Sequence, residues 1–269
     1  MPKREVYTNA PLRLVTAEFR FPLSPLLSGS DLLSLLADTL GETFPIIEPA
    51  PQGLQLSFGP ESPVASSTGN GYRLLARDRT SSVTVTPSRV AIETTAYRHW
   101  EDFREELVRV ALSALGDNLG ALVGIDRIGL RYINEVRVPG DSLTTDDWKS
   151  YINPDLLAVT NIAIGAAVKT AQMALHLQTS DDAELLIRLG ILEGHVVDNS
   201  TPLRLPSAPQ NGPFFLIDID SFWTRTGTVN EWDTSAAIET ANSLHAPIDD
   251  LFELCITERL RADVLRSPQ

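Results

Sequence analysis

A chain of 269 residues with 43% hydrophobic and 21% charged residues holds enough material for one large domain or two small ones, and excludes global disorder. Its formal charge of −13 is unevenly held: residues 1–122 carry 11 basic and 14 acidic groups, and residues 123–269 carry 11 and 21. Nucleic acid rewards basic groups that displace counterions, so this balance argues against nucleic acid as the main partner and against anionic membrane surfaces.

No apolar run approaches the ~20 residues of a membrane helix, and Met1-Pro2-Lys3-Arg4-Glu5-Val6-Tyr7 lacks the apolar stretch of a secretory signal. The single cysteine, Cys255, leaves no internal disulfide and no cysteine-based zinc site. Only three of the 22 basic residues are lysine, a usage that fits a GC-rich bacterial genome. The expectation is a bacterial cytoplasmic protein.

In chain order, Leu12–Phe21 reads as a strand. Leu12, Leu14, Thr16, Glu18 and Arg20 share one face, and Val15, Phe19 and Phe21 point to a core from the other. Ser28, Ser30 and Asp31 offer N-cap side chains for a helix whose stripe is Leu32, Leu33, Leu35, Leu36 and Leu40, closed by Gly41. Residues 45–71 are rich in Pro, Gly and Ser, with one short alternating strand, Leu54-x-Leu56-x-Phe58. Strands follow at Tyr72–Ala76, Ser82–Thr86 and Arg89–Thr95, the last two joined by a turn at Pro87-Ser88. The longest helix of this half runs from Trp100 to about Leu119 on a stripe of Trp100, Phe103, Leu107, Val110, Ala111 and Leu115. Glu101, Asp102, Glu105 and Glu106 crowd its first turns, where acidic groups favour the helix dipole.

The same grammar then repeats. A strand spans Val123–Val138, with Ile128, Leu130 and Tyr132 on one face and Arg127, Gly129 and Arg131 on the other. A short helix is capped by Thr144 or Thr145 and anchored by Trp148 and Tyr151. Strands are expected across 162–178, 184–193 and Phe214–Trp223, with an irregular proline-rich loop at 195–212. Helices close the chain from Ser235 to His245 and, restarted by Pro247 at its first position, to about Leu265. The fold class is therefore α+β: two similar strand–helix–strands–helix units, 1–122 and 123–269, packed as one body. Each resembles the helix-grip pattern of a curved antiparallel sheet around a long helix, the second with one strand fewer.

Several segments resemble a sporadically distributed family of uncharacterised bacterial proteins of about this length. They are Tyr7-x-Asn9-Ala10-Pro11-Leu12 with Glu18 and Phe21, Tyr97-x-x-Trp100-x-x-Phe103, and Arg127-Ile128-Gly129-Leu130-Arg131-Tyr132-Ile133-Asn134. Ile217-Asp218-Ile219-Asp220 and His245 with Phe252-Glu253 and Ile256-Thr257 complete the set. The resemblance spans nearly the whole chain and implies no known activity or ligand.

Four residues form the candidate site. Asp218 and Asp220 project from one strand face roughly 7 Å apart, a spacing that suits Mg²⁺ or divided acid–base roles as well as neutralisation by arginines. Arg127 and Arg131 flank Gly129 and can clamp an anion or pair with those aspartates. The expectation is one polar network across the sheet. His99, His176, His195 and His245 lack zinc spacing, Cys255 sits on an apolar stripe, and Gly69-Asn70-Gly71 is a turn; no cofactor motif is present. The leading functional expectation is a non-enzymatic interaction or scaffold protein with a protein partner, in a stress, toxin–antitoxin or phage-defence cassette. The alternatives are a small-ligand module with a pocket between sheet and helix, and a metal-dependent hydrolase at Asp218 and Asp220.

Overall fold

The computed structural model describes residues 5–24, 27, 31–50, 71–119, 124–140, 143–163, 166–197, 202–207, 211–227 and 231–267. Nine antiparallel strands form one sheet in the order β2-β3-β4-β5-β1-β6-β9-β8-β7. The strands of the first half are β1 (Leu12–Arg20), β2 (Ile46–Pro49), β3 (Tyr72–Leu75), β4 (Ser81–Thr86) and β5 (Arg89–Thr94). Those of the second are β6 (Arg127–Val136), β7 (Ala171–Gln178), β8 (Ala183–Glu193) and β9 (Pro213–Thr224). In each half the last strand returns beside the first, β5 beside β1 and β9 beside β6, and β1 pairs with β6 where the halves meet. The strand expected at Leu54–Phe58 lies outside the described residues, and β2, in the stretch rich in Pro, Gly and Ser, is a further strand that pairs with β3.

Period-two alternation sorts the side chains of each strand onto two faces. The front face carries Val15, Ala17 and Phe19 of β1, Ile128 and Leu130 of β6, and Ile217 and Ile219 of β9, all at most 2% exposed. A second cluster lies on the back, where Leu14, Ile133, Phe214 and Leu216 meet Val196, Val197 and Leu203 from the loop after β8. Leu12 does not share a face with Leu14 as expected. The register with β6 shifts between Leu12↔Asn134 and Leu14↔Ile133, and this bulge turns Leu12 to the front.

Helix α1 (Asp31–Leu40) buries Leu32, Leu36 and Leu40, while Leu33 stays exposed. Gly41 follows because a Cβ there would meet the Ala37 carbonyl oxygen at 2.2 Å. The long helix α2 (100–119) contains a π-helical stretch, Phe103–Val108. Its wider turn buries Val108 and Leu112 in place of the expected Leu107 and Val110, while Ala111 and Leu115 are buried as expected. Helix α3 (Thr145–Tyr151) is capped by Thr144, whose hydroxyl accepts from the Asp147 amide in a reciprocal capping box.

Two expectations in the second half are corrected. Among the described residues of 162–170 none is strand: a 3₁₀ segment, Pro154–Ala163, precedes β7, which begins only at Ala171. Pro247 does not restart a helix, since α4 (Thr234–Cys255) runs through it for 22 residues. Burial of Leu244, His245 and Ile248 against the sheet holds the helix across the missing amide. The true break follows Cys255, where Ile256 bridges Ile152, Asn153 donates its amide to the Cys255 carbonyl (2.9 Å) and Thr257 donates to Tyr151 (3.0 Å). Thr257 then caps α5 (258–265). Among the described residues no helix is long and apolar enough to cross a membrane.

Phe19 is fully buried at the centre of the front face, so Phe19→Ala is expected to cost about 3–5 kcal/mol through lost burial and the cavity left behind. A lower urea midpoint at unchanged slope checks this.

Candidate functional site

The four residues singled out from sequence come together on the back of the sheet. Arg131 clamps the fully buried Asp218 with two hydrogen bonds, Nε to Oδ1 at 2.8 Å and Nη2 to Oδ2 at 2.7 Å, and Arg188 adds a third at 3.2 Å. Arg127 lies 3.6 Å from Asp220 and donates to Glu18 at 3.1 Å. Glu18 also accepts from Arg20 (2.7 Å) and Arg89 (3.2 Å), so it is a hub that the sequence reading left outside the network. Its place on the polar face of β1 was the available signal.

Gly129 explains the geometry of Arg127. Gly129 sits between Glu18 of β1 and Phe222 of β9, and a Cβ on it would meet Arg127 Nη1 at 2.6 Å. The bare glycine lets the guanidinium fold flat, 4.5 Å above the Phe222 ring, and reach carboxylates on both neighbouring strands. Burial raises the pKa of Glu18, but Arg20, Arg127 and Arg89 together outweigh that and hold its carboxyl below the usual glutamate value. Asp220 shows the opposite balance, with burial raising its pKa despite Arg127 and Arg131. Every carboxylate here already has arginine partners. Among the described residues no group of three or more His, Cys, Asp or Glu side chains could hold a metal ion. These contacts form two ion-pair groups, Arg131 and Arg188 on Asp218, and Arg127 between Glu18 and Asp220.

The histidines do not converge. His176 pairs with Glu184 at 2.5 Å on the β7–β8 hairpin, His195 lies 3.1 Å from Asn211, and His99 is exposed. Cys255 is buried, which pushes its thiol up to about 11.

A large cleft opens on the other face. It encloses about 1080 Å³ between residues 5–12, the start of α2 and the C-terminal half of α4, over a floor of Tyr132 and Asn134 from β6. Its wall is an aromatic chain. The Trp100 indole stacks on the His245 imidazole at 4.8 Å and 9°, and His245 touches Tyr132 at 5.7 Å. Tyr132 meets Tyr97 edge-on at 5.4 Å and donates to its hydroxyl at 3.2 Å. Trp100 Nε1 donates to Asn242 (2.8 Å), which ties α2 to α4. Burial, with the Tyr97 hydroxyl next, drives the Tyr132 phenol well above the ordinary tyrosine value and keeps it neutral.

Segment 5–10 is strapped to the C-terminus. Tyr7 donates to Glu253 (2.7 Å), Asn9 bonds the Val264 and Leu265 carbonyls, and Glu5 takes two bonds from Arg266. Burial and then Glu253 push the Tyr7 phenol up to about 12. The lining is acidic: Glu5, Glu101, Asp249, Asp250 and Glu253 face a single arginine, Arg98. Arg266 and Arg261, behind Glu5 and Glu253, offset two of these charges. Asp249 lies 3.9 Å from His245 Nε2. Sequence reading did not assemble this cleft. Its parts, Tyr7, Tyr97, Trp100, Tyr132, Asn134, His245 and Glu253, lie in segments quoted above for the family resemblance, but nothing local says that they meet.

Gly129→Ala is expected to destabilise by about 1–2 kcal/mol by displacing the Arg127 guanidinium, between the values for exposed and buried ion pairs. The Arg127→Ala/Gly129→Ala double variant should melt no lower than Arg127→Ala alone. The lowered pKa of Glu18 contributes stability present above the ordinary glutamate value of 4.5 and lost as pH falls through the folded value. Urea melts should therefore separate wild type from Glu18→Gln most at about pH 7, and the gap should shrink steadily towards about pH 3.

Compared with known proteins, no family model matches the chain and no curated protein matches it.

Proposed function

We propose that the protein is a small-ligand-binding module whose site is the front-face cleft, and that its ligand joins a flat apolar body to a positively charged nitrogen. The observation that carries this reading is the juxtaposition, in one concavity, of half-buried aromatic surface from Tyr7, Tyr97 and Phe252 with an excess of carboxylates. Aromatic faces accept a flat apolar group, and a desolvated cation gains both from carboxylates and from ring faces. An anionic ligand meets repulsion from the same rim. The volume lies just above the range of about 300–1,000 Å³ usual for small-molecule sites.

The architecture supports the reading in a second way. The last strand of each half pairs with its first, and a long helix follows each block of strands, α2 and α4. This favours two helix-grip-like halves joined at β1 and β6, with the cleft formed where their helices meet through the Trp100–His245 stack. The arginine saturation of Asp218 and Asp220 favours the ligand module over metal-dependent hydrolysis.

The test is a thermal-shift and calorimetric comparison of tryptamine with indole-3-acetic acid, which share a ring and differ in charge. Tryptamine should raise the melting temperature and the acid should not, and Asp249→Asn should weaken amine binding by about fivefold or more. Preference for the acid, or no binding of either, overturns the proposal.

A further inference from the structure

The two edges of the sheet are unlike. Edge strand β2 is four residues long, ends in Pro49 and carries Glu48 paired to Arg79, features that blunt an edge against pairing. Edge strand β7 is longer and free of proline, and its one ionisable side chain, His176, is turned to Glu184 of β8. It runs eight residues, Ala171–Gln178, with no Asp, Glu, Lys, Arg or Pro, and most of its residues are exposed. Leu175 and Leu177 are 43% and 40% exposed on the front face, and Val159 and Ile162 of the adjoining 3₁₀ segment are 52% and 75% exposed. A long uncharged edge presents unpaired amides and carbonyls, and its exposed leucines are unfavourable in water.

The charges that flank the strand say what fits it. Lys169 precedes β7, and Asp181 follows it at the tip of the β7–β8 hairpin; both are exposed. If two copies of β7 pair antiparallel with Leu175 opposite itself, Met173 faces Leu177 of the other copy and Gln172 faces Gln178. Beyond the ladder, Lys169 of one copy comes to the end at which the other copy's hairpin turn carries Asp181. Opposite charges then close both ends of an apolar stripe, whereas parallel pairing sets Lys169 against Lys169. The strand is self-complementary in one orientation, the requirement of an isologous two-fold contact.

We propose that β7 is the homodimer interface of this protein, joining two nine-stranded sheets edge to edge with Leu175 on the two-fold axis. The proposal is independent of the ligand reading, because the cleft draws none of its lining from β7.

Sedimentation velocity of the full chain tests it. Wild type should sediment at twice 29.4 kDa, and Leu175→Lys and Leu175→Glu should each sediment as monomers with unchanged far-UV circular dichroism. An equimolar mixture of the two variants should recover the dimer, since only a residue facing its own copy turns Lys and Glu into a pair. Lys169→Glu should weaken the dimer roughly tenfold through its two symmetric contacts, and adding Asp181→Lys should restore it. A wild-type monomer at about 100 µM overturns the proposal. So does a Leu175→Lys variant that still dimerises, or a Lys/Glu mixture that stays monomeric, which would leave β7 to some other strand-adding partner. If either Leu175 variant loses its fold, the Lys169→Glu and Asp181→Lys pair decides the question alone.

Discussion

The antiparallel pairing of β1 with β6 is the constraint on which the rest of the molecule depends. Each strand begins its half of the chain, and each is also the strand to which the last strand of its half returns. Closing this one ladder makes a single sheet of nine strands from two blocks. It also decides what both faces can do. On the front, Val15, Ala17 and Phe19 are placed beside Ile128 and Leu130 to make a continuous core. On the back, Glu18 is brought level with Gly129 and within reach of Arg127.

The two faces handle polarity differently. The back face buries charge, and solvation makes that costly unless every charge is partnered. Arginines from β1, β5, β6 and β8 surround carboxylates from β1 and β9, so each strand is tied to its neighbours by bonds that only one register satisfies. A register slip would turn these groups into the apolar front. The front face buries hydrocarbon, and polarity gathers only where the core opens into the cleft. There the bulge between Leu12 and Leu14 brings Leu12 beside Asn134 in the cleft lining, and the π-helical stretch that begins after Asp102 sets which side chains of α2 follow Trp100 into the core.

The cleft is assembled from both ends of the chain and its middle. Residues 5–10 are held by bonds to Glu253, Val264, Leu265 and Arg266, and the aromatic wall joins α2 to α4 through Trp100, His245 and Asn242. Its shape therefore depends on contacts between segments more than 100 residues apart. The β7 edge is the reverse case, a local stretch whose character is visible from its own composition but whose exposure follows from its place at the end of the strand order.

Local periodicity was legible in the sequence because it is a property of neighbouring residues. Alternation in β1, β6, β8 and β9 sorted Val15, Phe19, Ile128, Leu130 and Ile187 from Glu18, Arg127, Arg131 and Asp218, and cap chemistry marked Thr144 and Gly41. Where a neighbour decides, sequence reading failed. The bulge at Leu12–Leu14 is set by register with β6, the stripe of α2 by a π turn, and the continuity of α4 through Pro247 by burial of its flanks. The four-residue polar cluster could be foreseen as like-charged pairs on strand faces, but not that Glu18 and Arg188 join it. A pocket between sheet and helix could be expected, but not its lining, since Tyr7, Trp100, Tyr132 and His245 have no common spacing. Sequence by itself determined which side chains share a face wherever a strand is regular, because side-chain direction there alternates with every residue; tertiary structure alone decided where a bulge breaks that alternation and which faces meet, because that energy is realised only between segments far apart along the chain.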